Sequence, residues 1–533
     1  MRDPRCLSIW KIGGRSERSS RLDAAGDADV VGRHAPRLSD ALASTPMVAV
    51  GAVSDRRARL WLRTEATGPF AVDVWSCGRE GRTAVVADSR RPEADGTMAF
   101  TIPNDAPAIG LLAPATAHRF RITVARTGEL VGEGRFETAP AAGAGGSFAF
   151  AFMSCHQPFR PDGAVHPDAA RMLAALEPAL ASRGVKYALL IGDQIYADAP
   201  GPGSLLRADR AGALLRASAA EIRARYQARY RQFWAFPELR RLQARWPTWC
   251  IWDDHEIVND WGARRAHQRP AWRRVFEGAR AAFVDYQASR TIGPGALWPS
   301  AFHQAFVWGA AATFIMDLSS ERTTDGREAR VYSDHQLGAL TAFLRAQQAR
   351  PVVFVVLSVP LVYLPDWLVA LGERLPRQGV PFGTRWNAAR NRGARDRLLA
   401  VLRAHQRTAP GQTLVLLSGD VHQGAAVALR WPDGARAYQF VSSPVTNAIR
   451  GWQERIAGRL SFSMPHVRHG TERAAIERLG CAMPGQRNPF NGLNVGIVSV
   501  EDRGAGAAVR FELVTYDAGA PGAARVAYDS GWL

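Results

Sequence analysis

Between Met47 and Pro140 the chain alternates apolar and polar residues with a period of two, in short runs broken by turn residues. The runs are Arg59-Leu60-Trp61-Leu62, Phe70-Ala71-Val72-Asp73-Val74-Trp75, Phe120-Arg121-Ile122-Thr123-Val124 and Arg135-Phe136-Glu137-Thr138. Several short strands at this spacing predict a small all-β sandwich of the immunoglobulin or fibronectin kind over residues 46–140. No cluster of reactive side chains falls inside it, so it reads as a scaffold or a substrate-shaping appendage.

After Ala141-Ala142-Gly143-Ala144-Gly145-Gly146, a flexible joint by composition, the pattern changes. Continuous apolar runs replace the alternation: Phe148 to Met153, Tyr187 to Ile191, Pro247 to Ile251, Val307 to Met316, Val352 to Val359 and Gln412 to Leu417. Such runs fit strands buried on both faces, and the segments between them have helical spacing, clearest from Pro167 to Ser182, across 205–245 and from Val275 to Gln287. Strand, helix and strand in succession predict an α/β domain over residues 147–520. Tyr226, Tyr230 and Trp234, spaced as one helix face, read as core. Residues 450–490, with Arg450, Arg455, Arg459, Arg468 and Arg473, are expected to form a basic and mostly helical flank. The stretch from Asn494 to Tyr516 returns to strands.

Composition narrows the class without naming a function. The 533 residues, 47% hydrophobic and 22% charged, belong to a globular chain too long for one ordinary core. No run reaches the roughly 18 apolar residues that a membrane helix needs. The formal charge of +18 comes almost wholly from arginine, since Lys11 and Lys186 are the only lysines, and it is scattered along the chain. It would draw in phosphorylated anions but does not select one. The five cysteines, Cys6, Cys77, Cys155, Cys250 and Cys481, are odd in number and widely spaced, which argues against a disulfide framework. Residues 1–45 lack an apolar segment behind their basic residues, so they read as a disordered tail and the expected location is cytoplasmic.

Chemistry collects where four apolar runs stop. They end in Ser154-Cys155-His156-Gln157, Gly192-Asp193-Gln194-Ile195-Tyr196, Trp252-Asp253-Asp254-His255-Glu256 and Ser418-Gly419-Asp420-Val421-His422. Open α/β sheets place their sites at the carboxyl ends of strands. Cys155, Tyr196 and His422 offer sulfur, phenolate and imidazole, which suit a borderline or trivalent ion, iron above all. Asp254 and Asp420, with a shared Asp193 and Asn259, offer hard oxygens that suit calcium, magnesium or manganese. Two ions at roughly 3.5–4 Å bridged by Asp193 would clamp a phosphoryl group in line with a metal-bound hydroxide. His255 is then the proton donor to the leaving group, its ring oriented by Glu256 or a neighbouring carboxylate, while Asp253 and Glu256 take supporting places. The role of His156 stays open between ligand, supporting group and phosphate contact.

These four motifs, with Ile257-Val258-Asn259-Asp260 continuing the third, resemble in order and kind the PhoD family of alkaline phosphatases and phosphodiesterases, within the calcineurin-like metallophosphatases. The resemblance runs from about Phe148 to about Tyr516. It implies a four-layer α/β/β/α sandwich preceded by a small β domain, a site with iron and calcium, for which manganese, magnesium or zinc are substitutes, and hydrolysis of phosphate mono- or diesters. By matched position Cys155, Asp193 and Tyr196 fall on the iron site, and Asp254, His255, Asp420 and His422 on the remaining motif residues. Two departures stand out. The family's Asp-x-Trp is Thr384-Arg385-Trp386-Asn387 here, and its Asp-x-Arg after Asp317 survives only as Arg322, which puts a second calcium site and some substrate contacts in question.

The implied function is a metal-dependent phosphoric ester hydrolase acting on a small phosphoester, with nucleic acid expected only as a substrate. The alternative is a non-catalytic basic protein that keeps the scaffold to bind anions or nucleic acid. A thiol mechanism through Cys155 and His156 ranks below both, because adjacent residues at a strand tip point to opposite faces.

Overall fold

In the computed structural model the described residues are 45–76, 81–199, 203–206, 208–291, 300–323, 329–374, 382–448, 458, 460–504 and 506–533. The tail expected over residues 1–45 lies outside them except for its last residue. Seven strands come first: β1 (Met47–Val53), β2 (Ala58–Arg63), β3 (Phe70–Ser76), β4 (Arg82–Val86), β5 (Thr97–Ile102), β6 (Ala117–Val124) and β7 (Leu130–Glu137). They form two antiparallel sheets, ordered β1-β2-β5 and β4-β3-β6-β7. In β6 exposed and buried residues alternate strictly at first, the signature of a sheet with one wet face. The inner faces meet in a core of their own around Leu60, Phe70, Phe100, Phe120 and Ile122.

The rest of the chain builds two larger sheets. One contains β8 (Phe148–Met153), β9 (Val185–Ile191) and β10 (Thr248–Ile251), joined later by β19 (Val495–Asp502), β20 (Ala507–Tyr516) and β21 (Ala524–Trp532), in the order β10-β9-β8-β19-β20-β21. The other contains β11 (Gln304–Trp308), β12 (Ala311–Ile315), β13 (Val352–Val356), β14 (Thr413–Ser418), β15 (Ala425–Arg430), β16 (Arg436–Val441), β17 (His466–His469) and β18 (Glu472–Arg478), in the order β11-β12-β13-β14-β16-β15-β18-β17. Strands β8, β9 and β10 run parallel, as do β12, β13, β14 and β16. Each parallel set therefore presents its carboxyl ends along one edge.

The two sheets pack face to face. Phe150 of β8 meets Phe354 of β13 edge-on at 5.0 Å, and Phe440 of β16 stacks on Phe511 of β20 at 4.6 Å. Such aromatic pairs contribute about 0.5–1.5 kcal/mol each beyond their buried area. The helices are α1 (Pro167–Ser182), α2 (Ala208–Arg216), α3 (Ala219–Phe233), α4 (Pro237–Arg245), α5 (Pro270–Tyr286), α6 (Asp334–Ala346), α7 (Asp366–Arg374) and α8 (Arg392–Thr408). Leu340 and Leu344 of α6, with Leu398 and Leu402 of α8, bury against Val353, Val355, Leu414 and Leu416 on the outer face of the larger sheet. Covered on both sides, β8, β12 and β13 are buried at every position, which is why their sequences are continuous apolar runs. Tyr226, Tyr230 and Trp234 are fully buried, with Tyr230 stacked on Tyr286 at 4.7 Å.

Two sequence expectations are corrected. The run from Val307 to Met316 is not one strand: β11 and β12 form a hairpin, turned at Gly309, whose φ of +53° a glycine adopts without penalty. The basic flank expected to be helical is, over the described residues 466–478, the antiparallel hairpin β17–β18, with Gly470 at φ +57° in its turn. There Arg468 and Arg473 sit opposite each other across the ladder, and Val467 and Ala474 point inward. A period of two was present in this segment and its arginines masked it. Arg450, Arg455 and Arg459 lie outside the described residues. Among the described residues no helix is long and apolar enough to cross a membrane.

Candidate metal centre

The strand tips β8, β9, β10 and β14 bring the predicted residues together. Close approach requires glycine: a Cβ at Gly192 would lie 2.6 Å from Asp253 Cβ, and one at Gly419 would lie 2.3 Å from Ser154 Oγ. Five of the eight non-glycine residues with positive φ among the described residues are here: Cys155, Asp193, Asp260, Asp420 and His422. Backbone in this region costs free energy for L-residues and collects at functional sites, where the surrounding structure holds it.

On one side lie Cys155, Asp193, Tyr196 and His422. Cys155 Sγ is 3.3 Å from Asp193 Oδ2 and accepts from Ser443 Oγ at 3.1 Å. Tyr196 Oη donates to the same Asp193 Oδ2 at 3.3 Å and stands 3.2 Å from His422 Nε2, while Asn447 Nδ2 reaches both, at 3.4 and 3.3 Å. Burial, then the Asp193 and Asp420 charges, pushes the Cys155 thiol well up, and burial with Cys155 and Asp193 does the same to Tyr196. Asp193 is also pushed well up, first by burial and then by Asp254, Glu256 and Asp420, against the opposing pull of His255. These groups resist ionising together unless a cation joins them.

On the other side lie Asp253, Asp254, Asp260 and Asp420. Asp254 Oδ2 accepts the Asp260 N–H at 2.5 Å, but Asp254 Oδ1 and Asp260 Oδ1 are buried and have no hydrogen-bond partner. An orphaned buried carboxylate oxygen is costly, so each points to a missing ligand. Potential ligand atoms of Asp193, Asp254 and His255 lie within 4.8 Å of one another, as do those of Asp253, Asp254 and Asp420. Both groups lie on the Asp254 side, where the donor set fits a metal ion, while on the other side Cys155 Sγ and Tyr196 Oη each lie 3.3 Å from Asp193 Oδ2. Beside them a pocket is lined by Asp253, Asp254, Arg322, Val359, Thr384 and Asp420.

His255 lies between the two sides. Its ring stacks on Tyr196 at 4.0 Å, and its Nδ1 is 2.7 Å from Asp198 Oδ1. Burial alone would lower its pKa, but Asp198, Asp254 and Asp193 outweigh burial and hold it well above the usual range. Of the two expected alternatives, Glu256 or a neighbouring carboxylate, the one that reaches the ring is a neighbouring carboxylate, Asp198. Glu256 accepts the backbone N–H groups of Asp193 at 2.9 Å, Gln194 at 2.6 Å and Asp253 at 3.0 Å, so its charge is spent on fixing strand tips. Asn259 gives its backbone N–H to Asp198 Oδ2 at 2.7 Å and its side-chain amide to Asp260 Oδ2 at 2.9 Å. His156 faces Phe233 O at 2.8 Å with Nε2 and Thr446 Oγ1 at 3.0 Å with Nδ1, and burial lowers its pKa to about 4, so it is a neutral group engaged with Thr446 and the Phe233 carbonyl.

The sequence from residue 150 to 475 matches the PhoD-like phosphatase family. The chain belongs to that family. None of the curated proteins matches the chain. Among solved structures it is similar to one described as the structure of PhoD, at 15% identity and a TM-score of 0.58, with 90% of this chain and 91% of that one covered. It is also similar to the purple acid phosphatase PPD1 from yellow lupin (Lupinus luteus) seeds, at 10% identity and a TM-score of 0.54, covering 91% of this chain and 74% of that one. At these identities the likeness is one of fold, a mixed α/β metallophosphatase fold.

Several residues that the structure brings to the candidate site were given no role from sequence. Asp198 follows Tyr196 by two positions, a spacing that a wider reading of the second motif would have included. Asp260 stood in the third motif without assignment. Arg385 and Arg322 come from segments distant in sequence, and only the fold delivers them: Arg385 Nη1 pairs with Asp420 Oδ2.

Proposed function

We propose that the chain is a metal-dependent phosphoric ester hydrolase of mono- or diesters, built as an α/β/β/α sandwich that runs from residue 147 through β21, past the expected bound of 520, behind a β-sandwich appendage over 46–140. The observation that supports it most is the convergence of four strand tips on Asp193, whose two oxygens face opposite sides. Oδ2 meets Cys155 and Tyr196, while Oδ1 accepts the His255 N–H at 3.3 Å. Cys155, Asp193, Tyr196 and His422 would hold the softer ion, read as iron. Asp193, Asp254 and Asp420 would hold the harder one, read as calcium. Asn259, the remaining expected ligand, also places Asp198 and Asp260 through its backbone N–H and its side-chain NH2. When bound, the ions supply charge that polarises the phosphoryl oxygens and activates the attacking water.

The protein's own part is the leaving group. With Nδ1–H held by Asp198, the proton on His255 Nε2 is the one available for transfer to the departing alkoxide. Asp198, Asp254 and Asp193 raise the pKa of the ring and so favour its protonated form. Asp254 and Asp193 flank the ring, so carboxylates stabilise the imidazolium before proton delivery, and a neutral imidazole remains after it.

The test is hydrolysis of p-nitrophenyl phosphate and bis-p-nitrophenyl phosphate before and after chelation, with metal content measured on the same sample. Metal-dependent release from either ester is expected. No release from either, with steep salt-dependent DNA binding instead, would leave the anion-binding alternative standing.

A further inference from the structure

We propose that Arg385 is a fixed cation of the acidic side and the anchor for a phosphoryl oxygen, a role that rests on the phosphoester reading above. Its segment is rigid. Trp386 Nε1 donates to Val359 O at 3.0 Å, Asn387 Nδ2 to Leu364 O at 2.8 Å and Asp366 Oδ1 at 3.0 Å, and Asn391 Nδ2 to Arg385 O itself at 2.8 Å. This turn places a buried guanidinium directly behind the pocket wall, of which the adjacent Thr384 and the paired Asp420 form part.

The pairing explains why the guanidinium stays there. Nη1 donates to Asp420 Oδ2, the Tyr363 ring lies 5.3 Å from Cζ, and the Asp260 charge acts from nearby. Among the described residues this is the one hydrogen bond the Arg385 side chain makes, so Nε and Nη2 remain for an acceptor. In the pocket lining Arg322 is held by Nε donating to Leu318 O at 3.0 Å. With Asp253, Asp254, Asp260 and Asp420 ionised, two guanidiniums leave a formal charge of −2, which one divalent ion neutralises. A phosphate entering such a corner needs donors that are always charged and can grip two oxygens. Arginine's planar fork provides them, and lysine provides only a point charge.

The test uses the metal-loaded protein and inorganic phosphate as the probe. Affinity is read by calorimetry for wild type, Arg385→Ala and Arg385→Lys, at metal contents matched by elemental analysis. The alanine variant should bind phosphate at least 10-fold more weakly, with the lysine variant in between and metal content unchanged. Phosphate affinity within two-fold of wild type in Arg385→Ala overturns the proposal. So does a loss that vanishes once metal content is matched, because Arg385 would then act only by holding Asp420. The lysine variant keeps the comparison available should the alanine variant fold poorly. A wild-type protein that binds phosphate through Arg385 yet hydrolyses no ester would sink the phosphatase reading and leave this one intact.

Discussion

The two sides of the centre are built differently although they share Asp193. The Cys155, Tyr196 and His422 side is a closed web in which Asn447 and Ser443 donate to the candidate ligand atoms. The Asp254, Asp260 and Asp420 side is open, with two orphaned carboxylate oxygens and two arginines set against four acids. A web of donors fixes geometry before any ion arrives, which suits an ion that stays. An excess of carboxylate charge with a pocket beside it suits an ion that meets substrate. Asp193 is the hinge of the comparison, and replacing it should have the largest effect.

Asp193→Asn keeps the size and removes the charge both sides use. Activity should fall at least as far as loss of a general acid would cause, on the order of 10⁴-fold, and elemental analysis should show both metals diminished. Loss of one metal with the other retained would show that Asp193 serves a single side. Next is His255→Ala. For esters with poor leaving alcohols the expected loss is about 10²–10⁴-fold in kcat, and for the nitrophenyl esters, whose leaving group needs little help, far less. Equal losses on both substrates would break the assignment of His255 to the leaving group and return it to a structural place.

The difference between the sides also marks how much the sequence could disclose. Strand tips rich in ligand types were legible because each lies within five residues of an apolar run. Cys155, Asp193, Tyr196, Asp254 and His422 were all found that way. The all-β, then α/β, order was legible from the switch between β6's alternation and β8's continuous burial. What the pattern hid was long-range. Arg385 reaches Asp420 over a gap of 35 residues, and Arg322 lines a pocket with Asp254, so no local window contains the pair. The β17–β18 hairpin was hidden by charge, since exposed arginines on one face of a short edge strand read as a polar helix. The hydrogen bond between His255 and Asp198 spans 57 residues, so the sequence left the orienting group open between Glu256 and a neighbouring carboxylate.

The Asp198–His255 pair makes a smaller and cleaner test. Asp198 raises the His255 pKa, and the rate needs His255 protonated, so activity should fall as pH rises through that pKa. Asp198→Asn removes the charge that holds the value up. The alkaline limb of the rate profile should therefore move to lower pH, with a loss of about 10–100-fold at its plateau. A limb that stays in place while the rate falls would mean Asp198 positions the ring without setting its charge.

The smallest effect should come from Glu256→Gln, which touches no ligand atom. Glu256 Oε2 accepts from both Asp193 and Asp253, and Oε1 from Gln194 and from Gln287 Nε2 at 3.2 Å. An amide has one oxygen, so either placement turns an NH2 toward two donors and leaves their buried hydrogens unpaired, at about 1–3 kcal/mol. The thermal midpoint should drop, and because β9 and β10 are pinned to each other through this carboxylate, the Asp193 and Asp254 sides should lose register. The expected signature is a harder metal released at lower chelator concentration while the softer one, held in its own donor web, is retained. If both ions leave together, the web around Cys155 is no more rigid than the acidic side, and the distinction between the two falls.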